Sequence, residues 1–153
     1  RNNKEYNMAR TVKLFDDKLI KELSVYHDYG YAGGSGLIWN ENLMDENHTR
    51  ILNIIHKKLD GKVLVFHNDI IDLNRRVTTY GIVRSIRWSK EYKTCFCIEY
   101  ARVCLNVDEP CIRPMEDDSC YVSPKTSYSV ITKAELNKLF DKTLETIKKN
   151  LMK

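Results

Sequence analysis

Four apolar segments in the middle of this chain follow one another too closely to be joined by helices. We predict strands at residues 62–67, 77–86, 94–100 and 102–107, and a further strand at 128–131. A parallel pair of strands needs a crossover of about a dozen residues or more, whereas a hairpin joins antiparallel strands within a few residues. The spacing therefore predicts a sheet whose strands pair mainly in antiparallel fashion.

Helical patterns lie on both sides of this block of strands. Apolar residues recur every three to four positions in residues 17–26, in residues 45–59 and from residue 132 to the end of the chain. Helices grouped around a run of short strands indicate an α+β fold. We expect a curved sheet or an open β-barrel with the helices packed around it.

Capping residues mark the ends of these helices. Asp17, with its neighbour Asp16, can accept from free backbone N–H groups at the start of the first helix. Gly61 follows the second helix as a stop signal. Thr132 and Glu135 match a capping box at the start of the third helix.

Other segments lack a clear apolar pattern. A short strand is predicted at residues 11–15, an irregular loop at 26–36, a turn at 68–76 and an acidic loop at 115–123. Gly81 lies inside a predicted strand, where a glycine often marks a bulge or the close approach of another group.

Length and composition are those of a globular protein with one core. The chain has 153 residues, of which 42% are apolar and 30% charged, and its formal net charge of +4 permits an anionic partner. We expect a flexible segment at residues 1–10 and one domain at residues 11–153. The sequence has no transmembrane segment and no secretory signal, and it does not begin with Met. We therefore expect part of a larger intracellular protein, cytoplasmic or nuclear, with no membrane partner.

The five cysteines are odd in number, and no pair has the spacing C-x-x-C. A disulfide framework is therefore not expected, which fits a reducing compartment. A zinc site would need Cys104, Cys111 and Cys120 with a histidine, and buried thiols are the better interpretation. We expect no metal and no cofactor.

Catalytic motifs are absent from the sequence. It contains no H-E-x-x-H, no G-x-S-x-G and no phosphate-binding loop of the Walker type. The carboxylates Asp69, Asp72 and Glu99 could serve a nuclease, but charges in a turn and on a strand face explain them as well. We predict that the chain is not an enzyme, with a small hydrolase or nuclease as an alternative.

Both tryptophans lie at the edges of predicted elements. Trp39 follows a flexible loop, and Trp88 lies where a strand meets a turn rich in cations. Partial core packing is an equally good interpretation of either tryptophan alone. Aromatic rings stack on bases and cations meet phosphates, so the combination indicates single-stranded nucleic acid. The nearby cations are Arg75, Arg76, Arg84, Arg87, Lys90 and Lys93.

Several motifs, in order along the chain, resemble those of the YTH domain, a family within the wider PUA-like group. The matching segments are GLIW at 36–39, KVLVF at 62–66, YGIV at 80–83 and RWSK at 87–90. The chain departs from the family pattern by the extra residue Ile38, by Asn40 in place of Ser or Thr, and by a shortened segment before Trp88. The resemblance spans about residues 12–147 and implies a PUA-like fold.

The resemblance also implies a function. YTH domains read N6-methyladenosine in single-stranded RNA, where aromatic side chains enclose the methylated base. With this resemblance, the base-binding set is predicted to be Trp39, Trp88, Asn40, Asp17, Lys13, Tyr31 and Leu73. The clustered cations Arg84, Arg87, Lys90 and Arg75 are predicted to bind phosphates.

Two alternatives remain open within the binding class. One is a YTH-like or EVE-like domain that reads modified DNA in a restriction system. The other is a protein-interaction module whose aromatic pocket takes a methylated side chain.

Overall fold

The computed structural model describes residues 8–28, 30, 34–72, 75–90, 95–106 and 109–153. Eight strands and three helices are found within these residues. The strands are β1 (Arg10–Lys13), β2 (Ser24–Asp28), β3 (Ser35–Trp39), β4 (Lys62–Asp72), β5 (Arg75–Ser89), β6 (Cys95–Asn106), β7 (Cys111–Val122) and β8 (Ser127–Thr132). The helices are α1 (Asp17–Leu23), α2 (Glu41–Leu59) and α3 (Lys133–Leu151).

Six strands form one antiparallel sheet in the order β1-β8-β4-β5-β6-β7. The edge strands β1 and β7 do not pair with each other, so the sheet is open. β2 and β3 form a separate antiparallel hairpin. The predicted α+β class and the antiparallel pairing are therefore confirmed, and the sheet does not close into a barrel.

Each face of the large sheet packs against a helix. On one face, Ile51 and Ile55 of α2 lie in a core with α1, the β2–β3 hairpin and Leu64 of the sheet. On the other face, Leu136 and Leu139 of α3 complete a second core. Because side chains alternate along a strand, β4 supplies Leu64 to one core and its neighbours to the other. The prediction of a strand buried on both faces at residues 62–67 is confirmed for its apolar central residues, 63–65.

The helix caps form as the sequence predicts. Asp16 accepts from the Leu19 amide at 2.8 Å, and α2 is followed by Gly61 at a φ of +67°. At the start of α3, the Thr132 hydroxyl accepts from the Glu135 amide at 3.1 Å. The Glu135 carboxylate accepts from the Thr132 amide at 2.9 Å, which completes the capping box.

Four segment predictions are wrong. Residues 26–28 and 35–36, predicted as parts of a loop, belong to the strands β2 and β3, since α1 ends at Leu23 and β2 starts directly after it. The strands predicted at 94–100 and 102–107 are one long strand, β6 (Cys95–Asn106), and a register shift against β7 lies between Tyr100 and Arg102, where the sequence suggested a break. Residues 68–72 and 75–76, predicted as parts of a turn, belong to β4 and β5, which pair as far as Asp72 and Arg75.

The fourth wrong prediction is the acidic loop at residues 115–123, which is the strand β7 up to Val122. β7 is an edge strand and most of its side chains are exposed. Charged residues on an edge strand discourage pairing with another chain, so an acidic strand is physically reasonable here. Hydrophobic alternation could not reveal it.

Gly81 lies where two aromatic side chains approach the backbone. A Cβ atom there would lie 2.8 Å from Tyr100 Cδ2 and 3.1 Å from Phe66 Cε2. The two rings stack with their centroids 5.0 Å apart. The prediction of a close approach at this glycine is confirmed.

We expect Gly81→Ala to destabilise the fold by about 1–3 kcal/mol, because the added methyl group overpacks the Phe66–Tyr100 pair. Urea denaturation measures the change in the free energy of unfolding. In the Phe66→Leu background the same substitution should cost less, since one of the crowding rings is gone. An equal cost in both backgrounds would contradict steric crowding as the cause.

The capping box should make stability depend on pH. The backbone hydrogen bond from Thr132 is the main cause that holds the pKa of Glu135 below its ordinary value of 4.5. A carboxyl group whose pKa is lower in the folded protein than in the unfolded chain stabilises the folded state at pH values above the unfolded-state pKa. This stabilisation is lost as the pH falls through the pKa of the folded state. Glu135→Gln keeps an acceptor but removes the titration.

We therefore expect the stability advantage of the unsubstituted protein over Glu135→Gln to be largest at neutral pH and to shrink as the pH falls below the ordinary glutamate value of 4.5. The measurement is urea denaturation of both proteins across this pH range. Thr132→Ala, which removes the cap itself, should lose about 1 kcal/mol at neutral pH. A difference between the first two proteins that stays constant with pH would contradict the assignment.

Candidate nucleic-acid interface

Trp88 lies in a stack of side chains where the end of β5 meets the first half of α2. The His48 ring lies 3.9 Å from the Trp88 ring, centroid to centroid, with an interplanar angle of 15°. The ammonium group of Lys90 lies 5.5 Å from the Trp88 ring centroid. We call these three side chains the Trp88 platform.

Backbone contacts orient the His48 ring. Its Nδ1 lies 2.9 Å from the carbonyl oxygen of Met44, one helical turn earlier. A carbonyl oxygen only accepts, so Nδ1 carries the proton and donates it. The ring is therefore held by its own helix in an orientation that presents a flat face to Trp88.

Lys90 is held over the indole by a weak interaction. Its ammonium group pairs with the carboxylate of Asp45, and both side chains are about two-thirds exposed. An ion pair this exposed is worth about 0–1 kcal/mol. The cation can therefore leave the ring at small cost.

The indole N–H of Trp88 is buried and has no acceptor among the described residues. Leaving a buried donor without a partner costs about 1–3 kcal/mol. The sequence predicted a role for Trp88, but it gave no signal for His48, which meets Trp88 only through the packing of α2 against β5.

Trp39 lies in the core and forms no surface wall. The residue is 4% exposed, and its ring makes edge contacts with Phe15 at 4.9 Å and Phe96 at 5.7 Å. Its indole N–H donates to the carbonyl oxygen of Val122 at 2.9 Å. A base could stack on Trp39 only if this core opened, so the structure does not join the two tryptophans into one pocket.

The expected phosphate-binding cations lie in ion pairs with carboxylates. Arg84 lies 3.5 Å from Asp117, and Arg87 pairs with Glu99. The arginine side chains remain 61% and 64% exposed, so these pairs are weak. Because successive side chains of β5 point to opposite faces of the sheet, Arg87 projects to the face opposite Trp88.

The other members of the expected base-binding set do not meet at Trp88. Asn40 caps α2 and accepts from the Asn42 amide at 3.1 Å. Lys13 pairs with Asp17 at 2.7 Å, which holds the pKa of that carboxyl below its usual value. β1, which carries Lys13, lies three strands away from β5 in the sheet. Tyr31, Leu73 and the side chain of Arg75 lie outside the described residues.

A polar cluster on the sheet was not anticipated from the sequence. The Asp69 carboxylate accepts from the Thr79 hydroxyl at 2.6 Å and from Arg102 at 3.3 Å, and Arg102 lies 3.7 Å from Asp118. Burial raises the pKa of the neighbouring Tyr100 hydroxyl. The cluster links β4, β5, β6 and β7 across the sheet. Two of the carboxylates considered for a nuclease can be compared. Asp69 belongs to this cluster, whereas Glu99 pairs with Arg87 outside it, so the two carboxylates do not share a site.

All five cysteines are free thiols. Burial raises the pKa of the Cys95 and Cys120 thiols, which disfavours the thiolate form that a metal requires. Among the described residues, no three side chains of the types His, Cys, Asp and Glu lie close enough together to hold a metal ion. No helix in the same part of the chain is long and apolar enough to cross a bilayer.

The two tryptophans should respond very differently to truncation. We expect Trp39→Ala to lose about 3–5 kcal/mol of unfolding free energy, because it leaves a cavity in a close-packed core. Trp88→Ala should cost clearly less, since that indole is only half-buried and its N–H is unpaired. Denaturant titration followed by circular dichroism measures both values, and equal losses would contradict this assignment of roles.

Comparison with known proteins returns no match: no family model matches the chain, and comparison with curated proteins and with solved structures found no match either. The resemblance to YTH domains therefore rests on the motifs in the sequence.

Proposed function

We propose that this domain binds single-stranded nucleic acid and stacks one base on the Trp88 platform. The observation that carries the proposal is the half-buried indole of Trp88, backed by the parallel His48 ring and covered by an exposed cation. Stacking against the His48 ring holds the Trp88 indole in a fixed orientation. The ammonium group of Lys90 lies over the indole ring and is held there only by weak contacts.

The magnitudes favour exchange of the lysine for a base. Removing Lys90 from the ring loses a cation–π contact of about 0.5–1 kcal/mol at an exposed site and an ion pair of about 0–1 kcal/mol. A base stacked on an aromatic ring gains about 1–3 kcal/mol. The released ammonium group can then bind a phosphate, which adds a charge-assisted contact.

Exposed cations elsewhere on β5 support the same class of ligand. Arg84 and Arg87 on β5 are mostly exposed, and their carboxylate partners are exposed as well or partly exposed. A phosphate can replace a carboxylate in such a pair with little loss. Affinity that arises in this way falls steeply with salt concentration.

The finer part of the proposal is that the base is N6-methyladenosine in RNA, within a divergent PUA-like domain. The YTH-like motifs in the sequence support it. With Trp39 in the core, a single indole and its histidine neighbour would have to distinguish the methylated base. A modified base in DNA is the alternative.

A binding role also fits the state of the candidate catalytic groups. The carboxylates of Asp69 and Glu99 each lie in ion pairs with arginine. We propose that the domain recognises its ligand without chemical turnover.

Trp88→Ala should weaken binding of a short single-stranded oligonucleotide by about 1–3 kcal/mol, or roughly 5- to 150-fold in Kd. Fluorescence anisotropy of a labelled strand at low salt measures this change. Tyr121→Ala is the matched control, because Tyr121 is an exposed aromatic residue on the opposite face of the sheet. Equal affinities for Trp88→Ala and the unsubstituted protein would refute the base platform.

The base preference needs its own titration. We expect RNA that contains one N6-methyladenosine to bind more tightly than the same RNA with adenosine, and we expect Trp88→Ala to abolish the difference. The matching pair of DNA strands tests the alternative. Equal affinity for methylated and unmethylated strands of both kinds would refute the modified-base part alone.

A further inference from the structure

A small cleft lies at the other end of the seam between α2 and β5. Its volume is about 190 Å³. The last turn of α2, the turn that follows it, the start of β4, the bulged part of β5 and the first residue of α3 surround it. Its principal lining residues are His56, Asp60, Lys62, Arg84, Ser85 and Lys133.

The charge around the cleft is mainly positive. Lys62, Arg84 and Lys133 face a single carboxylate in the lining, that of Asp60. Arg84 also reaches Asp117 at 3.5 Å in an exposed pair. Lys62 and Lys133 take part in none of the ion pairs found in the described part of the chain. Like charges gathered at one cleft repel one another, and a bound anion relieves that repulsion.

Strand register explains why these cations meet. Lys62 at the start of β4 pairs with Thr132 at the end of β8, so Lys133 follows directly beside it. The register of β5 against β6 shifts between Val83 and Ser85, which places Arg84 at a bulge. The end of α2 and the start of α3 both border the cleft, and their opposite partial charges offset each other. The side-chain cations therefore determine the sign of the electrostatic potential in the cleft.

We propose that this cleft binds a phosphate group. Its volume is below the range of about 300–1,000 Å³ that is typical of pockets for larger organic ligands, so it suits a single phosphate rather than a whole nucleotide. Three cations supply charge-assisted hydrogen bonds to phosphate oxygens. The phosphate belongs either to a nucleic-acid backbone or to a free phosphate.

The position of the cleft connects it with the Trp88 platform. α2 carries His48 at the platform and His56 at the cleft, and eight residues of helix span about 12 Å. A strand with one base stacked on Trp88 could place a backbone phosphate in the cleft. This source of the phosphate rests on the proposed function, whereas binding of a free phosphate does not.

The first experiment titrates the protein with inorganic phosphate at constant ionic strength and follows backbone amide chemical shifts. We expect saturable shifts at Gly61, Lys62, Ser85 and Lys133, with affinity about tenfold weaker in the double variant Lys62→Gln/Lys133→Gln. The control is Lys138→Gln/Lys148→Gln, which removes the same charge from exposed positions of α3 outside the cleft lining. Shifts that do not saturate, or an equal loss in both double variants, would overturn the proposal.

The second experiment separates the two sources of phosphate and the two proposals. If the strand supplies the phosphate, the cleft double variant should weaken binding of a short single-stranded oligonucleotide by about tenfold relative to the control variant. Phosphate shifts at the cleft without any oligonucleotide binding would support the cleft with free phosphate as the ligand and would refute the proposed function. Oligonucleotide binding that depends on Trp88, without phosphate shifts, would refute the cleft alone.

Discussion

The indole of Trp39 ties the small hairpin of this protein to its large sheet. Its N–H donates to the Val122 carbonyl at the end of β7, and its ring packs edge-on against Phe15 and Phe96. These contacts join parts of the chain that are far apart in the sequence. This arrangement stabilises the fold in two ways, because the buried N–H has an acceptor and the ring leaves no void around it. The position of α2, which begins directly after β3, depends on this anchor.

The strand β5 is the second organising element. Its central residues contribute to both cores, and Gly81 lets the stacked rings of Phe66 and Tyr100 lie against the backbone. Beyond this point α2 runs along β5, with His48 stacked on Trp88 near one end of the seam and His56 lining a cationic cleft near the other. One helix packed against one strand thus creates both candidate binding features.

Electrostatics distinguish the cations of this region. Arg84, Arg87 and Lys90 form ion pairs with carboxylates from neighbouring elements, and all three remain largely exposed. Such pairs keep the surface neutral at little energetic gain, and a phosphate can displace the carboxylate. Lys62 and Lys133 lack such partners within the described residues, and Arg84, which pairs with Asp117, lines the same cleft. The positive character therefore concentrates at the cleft rather than along the whole strand.

The sequence by itself determined the elements that depend on local chemistry. Hydrophobic periodicity predicted the helices and the buried strand β4, the capping residues predicted the helix starts at Asp16 and Thr132, and short strand spacing predicted antiparallel pairing. It failed for β2 and β7, whose side chains are largely exposed and therefore show little apolar pattern, and it did not predict β3. It also overextended the first helix into β2, because nothing in the pattern marked the end at Leu23.

Only the tertiary structure decided which side chains meet. Trp39 and Trp88 have similar surroundings in the sequence, yet one is buried between two phenylalanines and the other stacks half-buried on a histidine. The cations of the cleft come from β4, β5 and α3, and strand register brings them together. Burial and charge clustering depend on contacts between distant segments. A linear pattern therefore indicates which residue types are available, and packing determines which of them share a site.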